Sequence, residues 1–365
     1  MIIQVTTKKQ LNQFIYYVKT LYCDCKIYTY PIFRSLKKEL TTLVLNKKTY
    51  KALLSIDEHG KVNGRILYTF AVEKRKNERI CYFSFFDTQN DMQIVNELFA
   101  YIEMDMKKEN IIYLEGPYAP YDPDTRRGVL IEGYELEPTI FHSYNYSYYN
   151  ELLTKAGFIK KQDTFALNAK MDNSTLTKLK RFAEIFNSNY NVEIRSVNFK
   201  KIEQDIEDVT LILKKATDNQ NYQDAPTKEL IKTVFKSLKF FLMKDYIKIA
   251  RDKVTHQPIG FCLVMLDYNK VFHQTKGRIH LFKFVGAKRK IKKAIGKLQY
   301  VVPEYQRTGL IATIFYEILN EMQKNHIREF EAGTILENNE RSYRIFFHLG
   351  GQIVKRFRIY HRCFR

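Results

Sequence analysis

Apolar residues at Met92, Val95, Leu98, Phe99 and Ile102 follow the three-and-four spacing of one helix face. They come straight after RICYFSFFD (79–87), an aromatic run that reads as a strand. A second strand, IIYLEGPY (111–118), ends at Gly116-Pro117, and YYNELLTKAGF reads as a helix stopped by Gly157. The same order returns later in the chain. PIGFCLVMLD and KLQYVV read as strands, and LIATIFYEILNEMQ carries apolar residues at 310, 311, 314, 315, 318, 319 and 322. EFEAGTIL is a further strand, and NNERSYRIFFHLGG a helix ending at Gly350-Gly351. Each half closes on strand, helix, strand, helix and glycine, which predicts two similar α/β units with mixed sheets.

The join is expected within 165–195. There Asp172–Ser174 offer N-cap side chains, and Phe182, Ile185 and Phe186 are expected to form the apolar stripe of a helix. This divides the chain into residues 1–170 and 190–365. No low-complexity segment, Pro/Gly/Ser linker or short-period repeat interrupts it.

Composition narrows the class. The chain has 365 residues, 45% of them hydrophobic, enough for two domains with real cores. No stretch reaches the roughly 18 consecutive apolar residues of a membrane span. The first residues lack a signal-peptide pattern, so a cytoplasmic protein is expected. The cysteines (23, 25, 81, 262 and 363) are scattered, and Cys23-Asp-Cys25 is too tight for a Cys-x-x-Cys pair. Reduced thiols and no metal site are expected.

The formal charge of +20 suits nucleic acid, but solvated lysines explain the total as well. Its distribution says more. From Tyr268 to Pro303 there is no acidic residue and there are ten Lys or Arg, including KRKIKK at 288–293. An anionic ligand or partner is expected near that stretch. NYSYY (145–149) could be a base-stacking platform, but with no RNP-type strand or zinc spacing nearby it reads as core.

The most informative stretch is LQYVVPEYQRTGLIATIFYEIL (298–319). A strand that enters a helix through a tight loop aims several backbone N–H groups at one point, where the macrodipole also favours a phosphate. Gly309 permits positive φ or close approach, Gln306 to Ile311 would form the cradle, and Pro303 ends the strand. A plain strand-to-helix turn accounts for the same residues without a ligand.

VVPEYQRTGL followed by an amphipathic helix resembles the acetyl-CoA motif of the GCN5-related N-acetyltransferases, Arg/Gln-x-x-Gly-x-Gly/Ala. FEAGTILENNERSYRIFFHLGG resembles that superfamily's next strand and its Asn-containing helix. FFDTQND, EGPYAPYDPDTRRGVLIEGYE, YYNELLTKAGFIKKQDTFAL and GRIHLFKF extend the likeness over most of residues 50–365, to a poorly characterised bacterial family with a second such half at its N-terminus. The resemblance implies an α/β (α+β) fold with mixed sheets, as two tandem acyl-CoA N-acyltransferase-like domains. It also implies acetyl-CoA, or another acyl-CoA, as co-substrate.

Carried over by position, the backbone of Tyr300 and Val301 would bond pantetheine and the thioester carbonyl. The N–H groups of Gln306, Arg307, Thr308, Gly309, Leu310 and Ile311 would hold the pyrophosphate, and Asn338 would approach from the next helix. FSFFDTQNDMQIV lacks such a loop, so one cofactor site is expected, in the C-terminal half, with the N-terminal half shaping the substrate pocket. Two positions depart from the pattern. Ile311 stands where Gly or Ala is preferred, and Phe346 or Phe347 stands where many members carry a general-acid tyrosine.

Acyl transfer to an amine needs a proton acceptor. Glu331, on the strand after the loop, and Glu304, just before the loop, are the candidate bases, with His280 a further titratable group. The lysines of 276–297 could meet CoA phosphates, receive an acyl carrier protein or simply face water. Glu115, Asp122, Asp124 and Glu132, with Tyr118 and Tyr121, could attract an amine, and turn chemistry explains them equally. The expected function is CoA-dependent acyl transfer, acetyl first, to a small-molecule amine. The alternatives are a transfer-RNA-dependent aminoacyltransferase of the peptidoglycan-bridge type, and a non-catalytic CoA- or ligand-binding protein.

Overall fold

The computed structural model describes residues 1–73, 77–122, 125–139, 141–217 and 227–364. Its first part runs β1 (Ile2–Gln4), α1 (Lys8–Leu21), α2 (Phe33–Leu40), β2 (Lys51–Ile56), β3 (Val62–Glu73), β4 (Glu78–Thr88), α3 (Met92–Lys108), β5 (Tyr113–Gly116), β6 (Val129–Glu132), α4 (Tyr148–Lys155) and β7 (Ile159–Lys170). It continues through α5 (Asn173–Asn189), β8 (Val192–Ser196), α6 (Ile202–Thr217), α7 (Lys228–Leu238), β9 (Ile247–Asp252), β10 (Pro258–Leu266), α8 (Asn269–Gln274) and α9 (Leu281–Lys288). The last elements are β11 (Lys293–Val301), α10 (Leu310–Lys324), β12 (Glu329–Leu336), α11 (Glu340–His348) and β13 (Gln352–Cys363).

Local chemistry sets the helix starts. Thr7 and Gln10 form a capping box on α1, the Asp91 carboxylate accepts from Gln93 N on α3, and that of Asp172 accepts from Thr175 N on α5. The stripe of α5 is rotated from the expected one. Thr175, Leu179, Ala183 and Phe186 are buried, whereas Phe182 and Ile185 face outward. Of the three aromatic or branched residues expected inside, only Phe186 follows the spacing that meets α10.

All strands join one mixed sheet in the order β1-β2-β3-β4-β5-β13-β7-β12-β11-β10-β9-β8, with β6 beside β13. The two halves repeat one pattern: antiparallel β2, β3 and β4 lead to a parallel β4–β5 step, and antiparallel β8 to β11 lead to a parallel β11–β12 step. The closing strands are exchanged. β7 leaves the first half to pair with β12, and β13 returns from the second to pair with β5 and β6. One apolar cluster lies around β9, β10 and α10 and takes Phe165 and Leu167 from β7. Another lies around β4 and α3 and takes Tyr360 and Phe364 from the chain's end.

Both parallel steps open. β11 and β12 pair only from Lys293–Gly296 against Glu329–Ala332, after which β11 stays with β10 and β12 with β7. Next to the opening, Leu263 faces Leu298 while Val264 faces Gly296, so Lys297 is a bulged residue. The first half has a matching bulge on β4, where Arg65 faces Asp87 and Leu67 faces Ser84, with Phe85 at φ 48°.

Candidate functional site

Beyond β11 the chain makes a 3-10 turn over Pro303–Tyr305 and enters α10 through Arg307 at φ 66° and Gly309 at φ 98°. The two left-handed residues gather successive N–H groups on one concave side. Val302 N donates to Ile259 O, Tyr305 N to Val302 O, Gln306 N to Pro303 O and Thr313 N to Gly309 O. Leu310 N reaches only the Thr308 hydroxyl, at 3.4 Å. Among the described residues, the N–H groups of Arg307, Thr308, Gly309, Ile311 and Ala312 meet no acceptor. These donors stand at the N-terminus of a helix of 15 residues.

The loop is braced from behind. The Tyr305 hydroxyl donates to Asp252, the Thr308 hydroxyl donates to Tyr305 O at 2.8 Å, and Gln306 Nε2 donates to Val301 O at 3.2 Å. A Cβ on Gly309 would meet only Phe186 Cβ, at 3.9 Å, so the mouth is open and the positive φ is what calls for glycine. Ile311 packs against the apolar cluster, and its departure from the family pattern leaves the cradle uncrowded.

The other expected contacts divide. Because Val302 N bonds Ile259 O, strand alternation turns the peptide groups of Tyr300 toward β10 and those of Val301 into the opening. Tyr300 is therefore not placed to offer the expected backbone contact. Asn338 lies in the exposed turn before α11 and not on the helix, and its Oδ1 accepts from Gln162 Nε2 at 2.8 Å.

Glu331 is 1% exposed. One carboxylate oxygen accepts from Lys293 Nζ at 2.6 Å, and both accept from Lys355 Nζ, at 3.0 and 3.1 Å. Burial works against its charge, but Lys355 and Lys293 outweigh it and hold the carboxyl down at about 2. A carboxylate locked this way is an ion-pair hub, without the exposure or basicity expected of a general base. Glu304 is exposed on the 3-10 turn at the rim of the cradle. His280 precedes α9, beyond the far end of β11. The nine residues of β11 put about 26 Å between that end and the cradle. The lysines before β11 therefore lie away from the loop of free N–H groups.

The wall of the opening comes from the other half. Lys297 Nζ donates to the Thr125 hydroxyl at 3.1 Å and lies over the Phe141 ring. Arg127 donates to Thr334 O at 2.7 Å and to its hydroxyl at 3.1 Å. His142 is buried directly on Gly333, where a Cβ would fall 2.2 Å from its ring. Its Nδ1 has no hydrogen-bond partner and stands 3.6 Å from Glu331 Oε1. Burial, against the pull of Glu331, pushes the His142 imidazole down to about 3, so it is neutral at pH 7.

His142 also lines a cavity of about 90 Å³ in the first half, with Arg65, Phe85, Asp87, Arg126 and Tyr144. Its charges are matched internally: Arg65 binds Asp87 at 2.5 and 2.7 Å, and Arg126 reaches Glu39 at 3.3 Å. The acidic residues expected to attract an amine do not converge there. Glu115 pairs with Lys161, Asp122 with Arg126 and Glu132 with Arg356, while Asp124 lies outside the described residues. At the start of α3 the Asp91 carboxylate accepts from Gln93 N and holds the place a phosphate would need.

Lys355, Arg127 and His142 were not singled out from the sequence, and Lys293 and Lys297, in the basic stretch expected to meet an anionic ligand or water, instead meet Glu331 and Thr125. The one available signal was Gly333 inside a strand, which marks a close approach by another part of the chain.

No family model and no curated protein matches the sequence. Solved structures do. A tandem GNAT protein from the clavulanic acid biosynthesis pathway aligns with all of this chain and 98% of its own, at 10% identity and a TM-score of 0.58. A GCN5-related N-acetyltransferase from Sphaerobacter thermophilus aligns with all of this chain and 96% of its own, at 10% identity and 0.53. One from Anabaena variabilis gives 9% identity and 0.54, over all of this chain and 73% of its own. With the repeated half-sheets and the opened β11–β12 step, these likenesses show that the chain has the fold of the tandem GCN5-related N-acetyltransferases.

Proposed function

We propose that the protein is a CoA-dependent N-acyltransferase that moves an acyl group, acetyl first, from its thioester to a small-molecule amine. The C-terminal unit, 190–365, would hold the cofactor and the N-terminal unit, 1–170, would build the acceptor pocket. The observation that carries this reading is the set of free N–H groups from Arg307 to Ala312, beside a strand edge to which, among the described residues, no strand pairs beyond Gly296. Backbone donors on a helix N-terminus suit a pyrophosphate.

Bound acyl-CoA would supply the activated acyl group. The N–H groups from Arg307 to Ala312 hold the phosphates, that of Gln306 being taken by Pro303 O, and the Val301 N–H faces the opening, where an acyl oxygen can accept from it. The loops carrying Thr125, Arg127 and His142 close the acceptor side and exclude water. His142, neutral, buried and held at about 3, shapes the acceptor wall and, like Glu331, is too weak a base to take the amine proton, while Glu331 stays ionised and fixes Lys293 and Lys355 around it. Glu304 remains a base only for an acceptor that enters along the cradle rim. Phe346 is buried and neither it nor Phe347 can give a proton. The leaving thiolate would take its proton from solvent.

The missing tyrosine at 346 or 347 favours a second reading, a protein that binds CoA without turnover. A transfer-RNA-dependent reaction rests only on the basic surface.

Calorimetric titration with acetyl-CoA, for the parent and for Gly309→Glu, tests the site. Binding by the parent and its loss in the folded variant supports a cofactor at 306–311, and amine-dependent release of free CoA then separates catalysis from binding. A well-folded parent that does not bind acetyl-CoA refutes the proposal.

A further inference from the structure

The basic stretch before β11 ends in a feature that acyl transfer does not use. Phe284 is buried and anchors α9 through Phe241, Phe272 and Tyr268, with ring centroids 5.2, 4.9 and 5.7 Å away. With Phe284 turned inward, Phe282 is 94% exposed, Val285 60% and the preceding Ile279 44%. Phe240, also exposed, has its ring 6.3 Å from Phe284 and extends the apolar tip. Around it Lys276, Arg278, Lys283, Arg289, Lys290 and Lys292 are exposed, and none has an ion pair among the described residues. Lys19 joins the same side. Its ammonium is disfavoured first by burial and then by Arg278 and Lys276, as expected of cations that crowd one another without an acid between them.

We propose that this face docks on an anionic lipid surface, with Phe282 and Val285 entering the headgroup boundary and the surrounding Lys and Arg meeting the lipid phosphates. The charge is complementary, and an apolar tip inside a cationic ring matches an interface that is apolar beneath an anionic layer. The shape favours lipid over an acidic protein. Phe282 stands out from a convex helix with no wall beside it, where a protein anchor would sit in a packed, desolvated patch. The location argues the same way. Phe284 seats α9 on Tyr268 and Phe272, just past the end of β10 that pairs with the start of β11, and β11 runs about 26 Å from there to the cradle, too far for a carrier protein seated on this face to present a thioester there. No helix among the described residues is long and apolar enough to cross a membrane, so the contact is peripheral.

The test is co-sedimentation of the full chain with phosphatidylcholine vesicles and with mixed phosphatidylcholine–phosphatidylglycerol vesicles, at low and high salt. The parent is expected to bind only the mixed vesicles, and more weakly in salt. F282S/V285S and, separately, K283E/R289E are expected to lower binding roughly tenfold or more. All these positions are exposed, so circular dichroism and the melting temperature should stay at the parent's values. A folded parent that fails to bind the mixed vesicles overturns the proposal, as does binding that F282S/V285S leaves unchanged. Saturable binding of an acidic acyl carrier protein through the same residues, without vesicle binding, overturns it in favour of a protein partner.

Discussion

Glu331→Gln separates a structural hub from a catalytic base. The substitution keeps the side chain's shape and removes the charge that Lys355, 1% exposed, and Lys293 share. Breaking a buried ion pair from one side costs about 3–5 kcal/mol, because the remaining charge stays buried without compensation. The pH dependence gives a second measure of the same hub. The native carboxyl lies at about 2 against an ordinary 4.5, so 4.5 − 2 = 2.5. At about 1.4 kcal/mol per pH unit this is roughly 3 kcal/mol, an order of magnitude in agreement with the first figure. The folded value is the depressed one. The stabilisation is therefore complete above about 4.5 and is lost as pH falls toward 2. Urea unfolding of parent and variant at pH 7, then at steps down to pH 3, should show the variant less stable at neutrality and flatter in acid. A variant that loses less than about 1 kcal/mol, keeps the parent's acid profile and yet turns over amine far more slowly would refute the hub and restore the base.

Burial raises the Asp267 carboxyl to about 6, the opposite sign. The folded state then holds its proton more tightly than the unfolded one, so stability falls as pH rises from about 4 to 6, and Asp267→Asn should remove that fall in urea titrations between those values. Gly333→Val would drive a side chain into the His142 ring. We expect a loss of about 1–3 kcal/mol in the unfolding transition and slower acyl transfer, with acetyl-CoA affinity in calorimetry kept because the cradle is elsewhere. Tyr305→Phe frees the loop from Asp252 and should weaken acetyl-CoA binding by roughly two- to tenfold, the cost of ordering the loop on binding. An unchanged affinity would show that the brace is irrelevant to the cradle.

The loop proposed to cradle a phosphate was legible in its shape because it is local. Pro303, Gln306 and Gly309 specify a strand end, a turn and a helix start within ten residues, and the N–H groups are aimed by that turn alone. The α10 stripe was legible for the same reason, and six of its seven expected positions, 310, 314, 315, 318, 319 and 322, are buried. The α5 stripe was not, because Phe182 and Ile185 are as apolar as Phe186 and only the place of α10 decides which side is inside. Strand β13 was hidden by Lys355, Arg356 and Arg358, whose charges break the alternation and find Glu331, Glu132 and Asp163 only in the folded sheet.

What the sequence determined by itself is the order of elements, the repeated α/β pattern, the helix caps and the loop that turns five free N–H groups to one side. These depend on residues within a few positions of one another, where backbone geometry leaves few choices. What only the tertiary structure decided is the exchange of β7 and β13, the seat of His142 on Gly333 and the capture of Glu331 between two lysines. Those contacts join residues from about 24 to more than 190 positions apart. Strand pairing and buried charge are satisfied by whatever the fold brings alongside, and side-chain identity alone does not name the partner.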